Sequence, residues 1–136
     1  MHLKFTLNIK PFSVNKMYCR DARFKSQEYK IWATTTNTAI QESDEYKQLL
    51  DIAEAHKANG GTFYVGLVYE YPAYMFYNKA GQISSKTVDC SNGAKSIIDI
   101  VFNDIMEVND KHITCLKEEK RAGSNYLMHI TIILNA

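Results

Sequence analysis

DCSNGAKSIIDIVFNDIMEVNDKHI, the stretch of residues 89–113, carries a clear helical pattern. Its apolar side chains recur every three or four residues and share one face, which holds Ala94, Ile97, Ile98, Val101, Phe102 and Ile105. The opposite face holds Asn92, Lys95, Asp99 and Asn103. The spacing predicts a helix over 92–106 that buries one face and leaves a polar face for solvent or a ligand.

The sequence on either side of this helix predicts further strands and helices. Alternating apolar residues predict a strand over 3–9 that Pro11 ends, and runs of β-forming residues predict strands over 62–71, 113–120 and 126–134. A helical pattern covers 26–58, with a candidate break near Ser43 and a stop at Asn59-Gly60-Gly61. Residues 11–25 predict a loop, residues 72–85 an extended hairpin or loop, and residues 122–125 a turn. This order predicts an α+β fold, a single domain over residues 1–136 in which two main helices pack on a mixed β-sheet.

The charge of the chain is balanced overall but unevenly distributed. The formal net charge is +1, yet residues 1–30 carry seven basic and two acidic side chains, whereas residues 41–58 carry five acidic side chains and two lysines. A basic N-terminal part beside an acidic helix is typical of a phosphate-binding face backed by a solvated one. An ordinary mixed surface explains the same distribution equally well.

Cysteine usage and hydropathy indicate the compartment. Cys19, Cys90 and Cys115 form no Cys-x-x-Cys pair, so they are predicted to be free thiols in a reducing environment. No stretch approaches the roughly 18 apolar residues of a membrane span, and the first ten residues lack the apolar centre of a signal peptide. We therefore expect a soluble cytoplasmic protein that does not contact membranes.

Two carboxylates and a lysine surround the predicted helix and are candidates for chemistry. Asp89 comes just before it, Asp110 follows it, and Lys95 and Asp99 are neighbours on its polar face. If the fold brings Asp89 and Asp110 together, their oxygens suit a hard divalent cation such as Mg²⁺. Such an ion, with a lysine nearby, suits phosphodiester hydrolysis.

Simpler interpretations remain open for the same residues. Asp89 or Ser91 can cap the helix N-terminus, and Lys95 with Asp99 can form a surface ion pair worth less than about 0.5 kcal/mol. Asn109-Asp110 is also a common turn signal. Under this interpretation the chain is a small α+β interaction protein without catalytic chemistry.

These residues nevertheless resemble the active-site pattern of the RusA family of Holliday-junction resolvases. That pattern is Asp-x-Asp-Asn-x-x-Lys, an Asp four residues after the Lys, and Asp-Asp-x-Gln-Ile/Val beyond the helix. The chain matches it in order with Asp89, Asn92, Lys95, Asp99, Asn109-Asp110 and Ile113. The segment from Pro11 to Tyr18 is similar to the family's Pro-x-Ser-x-Asn-x-x-Tyr segment after the first strand.

The resemblance implies an Mg²⁺-dependent endodeoxyribonuclease, with Mn²⁺ as an alternative ion. It would act as a homodimer on branched DNA in the cytoplasm of a bacterial or phage-infected cell. Asp89 and Asp110 would be metal ligands, and Asp89, Lys95 and Asp110 would be catalytic. The implied DNA contacts are Asn15, Lys16, Arg20, Arg23, Lys25 and Lys120.

Ser91 departs from this pattern, because the family has a second acid at that position. The metal could be held by Asp89, Asp110 and additional water, with Ser91 as a weak ligand, or Asp99 or Asp104 could replace the missing carboxylate. Alternatively, the protein could bind branched DNA and cut it slowly or not at all. The second functional hypothesis is therefore a non-catalytic junction-binding protein with a decayed metal site.

Overall fold

One mixed β-sheet organises the chain. The computed structural model describes residues 1–18, 24–88 and 90–135, without the side chains of residues 90 and 91. Strands β1 (His2–Leu7), β2 (Thr62–Pro72), β3 (Ile113–Gly123) and β4 (Leu127–Asn135) lie in the order β1-β4-β2-β3. Strand β4 is antiparallel to β1 and β2, whereas β2 and β3 are parallel. The α+β class and the mixed sheet predicted from the sequence are confirmed.

Helices α1 (Gln27–Gln41) and α2 (Tyr46–Asn59) occupy the region where one helical pattern was predicted. The Ser26 hydroxyl caps α1 by accepting a hydrogen bond from the Tyr29 amide at 3.1 Å. Ser43 lies in the break between the two helices and donates its hydroxyl proton to the Ile40 carbonyl. Gly60 ends α2 with a φ of 72°, a conformation that glycine adopts without strain. The break and the glycine stop are both confirmed.

The central helix is longer than predicted and changes its winding midway. Helix α4 (Cys90–Ile98) continues as a π-helical segment over Asp99–Met106. All six residues of the predicted apolar face are buried. Glu107 then adopts a left-handed conformation, with a φ of 55°, and ends the segment. A π-helical turn often marks a functional position, and here it begins at Asp99.

The two predicted loop regions each contain a helical turn, and the second also contains an antiparallel bridge, in agreement with the hairpin alternative. Residues 72–85 contain a short helix, α3 (Ala73–Phe76), and a bridge between Tyr77 and Ile83. Residues 11–18 contain a 3-10 turn over Val14–Lys16. Strand β3 runs three residues beyond its predicted end at 120, because its pairing with β2 continues to Gly123 opposite Pro72.

The core lies between the helices and one face of the sheet. Alternate residues of β1, β2 and β4 point into it, as the burial of Phe5, Val65, Tyr69 and Ile130 illustrates. Among the described residues, no helix is both long and apolar enough to cross a bilayer. Cys115 is an exposed free thiol, as predicted, whereas Cys19 and the Cys90 side chain lie outside the described residues.

The other face of the sheet carries a polar network that the sequence did not predict. The Glu70 carboxylate accepts one hydrogen bond from Arg121 Nε at 3.1 Å and lies 3.2 Å from His129 Nε2. The Thr6 hydroxyl lies 2.9 Å from Nδ1 of the same ring. The contacts of Glu70 with His129 and then with Arg121 lower its pKa. The network joins residues of all four strands across the sheet.

Candidate functional site

A cleft of about 660 Å³ lies between the segment that follows β1 and the segment that precedes α4. The first segment contributes Lys10, Pro11, Phe12, Ser13, Asn15 and Lys16 to its walls. The second contributes Ser85, Lys86, Thr87 and Val88, and Asn92 comes from α4 itself. Two parts of the sequence that carry the family resemblance therefore line one concave surface. We call it the cleft.

Ser96 connects the two walls of the cleft. Its hydroxyl lies 2.7 Å from the Phe12 carbonyl oxygen and 3.1 Å from the Gly93 carbonyl oxygen, and the residue is fully buried. A buried hydroxyl requires a partner to offset the loss of water. The bond to Phe12 spans 84 residues of sequence and holds the segment after β1 against the central helix.

The segment after β1 has its own local structure. The Ser13 hydroxyl accepts a hydrogen bond from the Asn15 amide at 3.2 Å and opens the 3-10 turn. Met17 is fully buried, and its carbonyl accepts a hydrogen bond from the Ser26 amide at 2.7 Å. Because the turn is capped at one end and anchored at the other, Asn15 and Lys16 stay exposed at the cleft.

Helix α1 supports this segment with aromatic side chains. Phe12 packs against Tyr29 and Trp32, with ring centroids 5.7 and 5.4 Å apart. The Trp32 indole donates a hydrogen bond to the Lys10 carbonyl at 2.7 Å. Trp32 also lines the cleft. Neither role was predicted, since the helical pattern of 26–58 did not show which aromatic residues face the loop.

The charged residues that line the cleft are mostly basic. Lys10, Lys16 and Lys86 contribute positive charge, and Glu28 contributes the negative charge. The Lys10 ammonium also lies 5.5 Å from the ring centroid of Tyr126. Three lysines around one concavity attract phosphate groups. The basic N-terminal region predicted from the sequence therefore contributes Lys10 and Lys16 to this surface.

Asp99 is the centre of a polar cluster on the adjacent part of the central helix. Lys95 and Lys25 place their ammonium groups 3.4 and 3.6 Å from one carboxylate oxygen, and Asn103 donates to the other at 3.2 Å. The Asp99 side chain is 13% exposed. Lys95 and Asp99 thus form the ion pair that the sequence left as an alternative, and Lys25 joins it from outside the helix.

Asp99 was considered from the sequence as a metal ligand and Lys25 as a DNA contact, whereas here the two side chains pair with each other. Both Asp99 oxygens already have cationic or amide partners, an arrangement that offsets the charge without a metal ion. The Lys25 ammonium also lies over the rings of Tyr18 and Tyr29, at 4.8 and 4.7 Å. Asp104 is the other acid considered as a replacement ligand. Its burial raises its pKa, and the nearby negative charge of Asp99 adds to this effect.

The same cluster perturbs Tyr29. Burial, followed by the charges of Asp99 and Asp104, raises the pKa of Tyr29 to about 12 from its ordinary value of 10.0. Since the folded pKa exceeds the unfolded one, the contribution of Tyr29 to stability is complete below pH 10 and is lost as pH rises towards 12.

Asp99→Asn is expected to lower the pKa of Tyr29, because it removes the largest charge effect that opposes tyrosinate formation. A ¹³C NMR titration of ring-labelled tyrosine, with Tyr29→Phe to assign the resonance, measures this shift. Asp51→Asn changes an exposed acid of α2 and serves as the control. An unchanged Tyr29 pKa in Asp99→Asn would show that Asp99 does not act on this ring.

Lys120 and Tyr71 hold the residues just before Asp89. The Lys120 ammonium donates to the Thr87 hydroxyl at 3.1 Å and to the Val88 carbonyl at 3.2 Å. The Tyr71 hydroxyl accepts a hydrogen bond from the Val88 amide at 2.9 Å. Lys120 was predicted to contact DNA, and in the structure its ammonium group binds this segment of the chain. Tyr71 was not assigned a role from the sequence.

Asp110 lies at the opposite end of the sheet. It opens a 3-10 turn over Asp110–His112, which Asn109 caps by accepting a hydrogen bond from the Lys111 amide at 2.8 Å. Strand β3 follows directly, and its eight residues from Ile113 to Lys120 span about 23 Å, because seven steps of ~3.3 Å separate the first from the last. Within one protomer, Asp110 and the Val88–Lys120 contact therefore lie towards opposite ends of β3. Asp89 lies outside the described residues, so its expected approach to Asp110 stays a prediction.

Asp110 is exposed and available as a ligand. Its carboxylate has no hydrogen-bond or ion-pair partner among residues 1–18, 24–88 and 90–135. Within the same ranges, no group of three or more His, Cys, Asp or Glu side chains is placed to hold a metal ion. The predicted residues Asp89, Arg20 and Arg23, and the Ser91 side chain, lie outside the described residues.

Comparison with known proteins adds no family assignment. No protein-family model matches the chain, and no curated protein matches its sequence.

Proposed function

We propose that the protein is a structure-selective, divalent-metal-dependent endodeoxyribonuclease of the RusA type that resolves four-way DNA junctions by symmetric phosphodiester hydrolysis. The observation that carries the proposal is the cleft. The segments around Asn15 and Asn92, which hold the two parts of the resemblance, line it together, although 76 positions separate them in the chain. Its lysines supply the charge that a DNA backbone requires.

The roles of the chain's residues follow from this surface. Lys10, Lys16 and Lys86 would contact backbone phosphates, which gives affinity with little sequence preference. Lys120 positions the segment before Asp89. Lys95 would leave its pair with Asp99 to approach the scissile phosphate, and Lys25 would remain to offset the Asp99 charge.

The metal ligands are proposed to be Asp89 and Asp110, with Mg²⁺ or Mn²⁺ as the ion. Exposed and unpaired carboxylates fit such an ion, and Asp110 has this character within the described residues. When bound, the ion polarises the phosphate and activates water for hydrolysis. Ser91 adds a hydroxyl in place of a third carboxylate, so the site carries less negative charge than the family pattern.

A homodimer would bring the two acids together. Asp110 and the Val88–Lys120 contact lie at opposite ends of β3 in one protomer, so we propose that each site combines Asp89 of one protomer with Asp110 of its partner. Two such sites related by a two-fold axis match the symmetry of a four-way junction. The proposed setting is DNA recombination and repair in a bacterial or phage-infected cytoplasm.

A second candidate function is junction binding without cleavage. It is favoured by two observations, Ser91 in place of an acid and the engagement of Lys95 with Asp99. In this case the cleft would hold the junction while the acids would bind metal weakly. The two candidates share the DNA surface and differ in the chemistry at the helix start.

Cleavage of a labelled synthetic four-way junction, beside a linear duplex of the same sequence, tests both. We expect paired nicks in the junction alone, with Mg²⁺ or Mn²⁺, and none with chelator. Tight junction binding without nicks, followed by gain of cleavage in Ser91→Asp, would instead support the second candidate. Equal, weak binding to junction and duplex, with no cleavage, would contradict both.

A further inference from the structure

We propose that His56 and His112 form a binding site for a divalent transition-metal ion, such as Zn²⁺, separate from the cleft. His56 lies on the last turn of α2, and His112 ends the 3-10 turn that precedes β3. Their ring centroids are 4.6 Å apart, with an angle of 62° between the ring planes. The proposal is independent of junction cleavage and assigns a second ion of a different chemical class.

The unsatisfied nitrogen of His56 is the first support for a ligand. His56 is 9% exposed, and its Nε2 atom has no hydrogen-bond partner among the described residues. A buried polar atom of this kind is costly unless something binds it. Phe63 packs against the same ring with centroids 5.1 Å apart, so an apolar ring covers one side of the imidazole.

The spacing of the two rings is the second support. A zinc ion binds imidazole nitrogen at about 2.0–2.1 Å with tetrahedral angles, which places the centres of two ligating rings roughly 5 Å apart. The two rings meet edge to face with centroids 4.6 Å apart, which places a second imidazole directly beside that of His56. His112 is half-buried, and its ring lies directly beside that of His56, so it can supply a second nitrogen.

The chemistry of the donors selects the class of ion. Neutral imidazole suits Zn²⁺, Ni²⁺ and Cu²⁺, whereas Mg²⁺ prefers oxygen ligands. Asp110 lies two residues before His112 and adds negative charge to the same turn. Two histidines leave coordination positions for water, so the ion would be exchangeable. It would join the end of α2 to the start of β3, which are distant in sequence.

Isothermal titration of the full chain with Zn²⁺, without DNA, tests the site. We expect one ion per chain and at least a tenfold weaker affinity in His112→Gln, because even residues that only support a metal ligand change affinity by about 10–100-fold. His2→Gln, which alters an exposed histidine of β1, is the matched control. We expect His56→Gln to show the same loss as His112→Gln, with folding checked by circular dichroism.

Several outcomes would overturn the proposal. One is the absence of zinc binding by the wild type. Another is an equal loss of zinc affinity in His2→Gln and His112→Gln, because an equal loss would indicate adventitious binding at the surface. Should His56→Gln unfold, Co²⁺ replaces Zn²⁺ as the probe: the absorption spectrum of bound Co²⁺ is compared between the wild type and His112→Gln, and an identical spectrum in both would overturn the proposal. Asp110→Asn is expected to keep zinc affinity within a few-fold while it removes junction cleavage, so failure of one proposal is distinguishable from failure of the other.

Discussion

Mixing the Asp89→Asn and Asp110→Asn variants is expected to restore junction nicking that neither variant performs alone. If each site takes Asp89 from one protomer and Asp110 from its partner, a mixed dimer carries one site with both aspartates and one with neither. Each single variant should lose cleavage by on the order of 10³-fold or more, since metal ligation supplies several kcal/mol of transition-state stabilisation. The mixture should regain about a quarter of the wild-type nicking rate after random reassociation of subunits.

The measurement is strand-specific nicking after the two variants are unfolded together and refolded. Mixed dimers are expected to nick one strand of each junction, in contrast to the paired nicks of the wild type. Each variant refolded alone, and wild type refolded with Asp51→Asn, are the controls. A mixture that stays inactive while refolded wild type recovers would place both aspartates of a site in one protomer and would contradict the shared arrangement.

Replacing the three lysines of the cleft with glutamine is expected to weaken junction binding on the order of 100-fold, at about 1 kcal/mol for each lost phosphate contact. Lys10, Lys16 and Lys86 line the cleft together. Because each neutralised phosphate releases counterions, the slope of log affinity against log salt should also fall by about 2–3. Binding to junctions in chelator, measured at several salt concentrations, separates this effect from cleavage.

A matched triple variant controls for the change in net charge. Lys4, Lys47 and Lys57 are exposed and lie on β1 and α2, outside the residues that line the cleft. Their replacement with glutamine should leave the salt slope within about 1 of the wild type. Equal losses in the two triple variants would mean that DNA responds to overall charge, and the cleft would then not be the binding surface.

Local patterns accounted for most of the secondary structure. The apolar alternation of β1, the break at Ser43 and the glycine stop at Gly60 each depend on neighbouring residues, so the sequence predicted them directly. The pairing of Lys95 with Asp99 is also local, because side chains four residues apart on a helix are neighbours. The change to π-helical winding at Asp99 had no such local signal.

The composition of the site was only partly predictable. Asn15 and Lys16 were expected near the site and line the cleft. Ser96, by contrast, lies four residues after Asn92 and was assigned to neither face of the predicted helix, yet it is fully buried because the segment around Phe12 covers it. Periodicity shows which face of a helix is polar, but it does not show which distant segment will pack on that face.

The sequence by itself determined the α+β class, the buried face of the central helix and the residues available for phosphate chemistry, since these depend on residue type and spacing over one or two turns. The tertiary structure alone decided that Lys25 would join Asp99 and that Lys120 would hold the Val88 carbonyl. The physical reason is that both contacts join segments far apart in the chain, and residue type and spacing within one helix or strand do not show which distant segment will pack there.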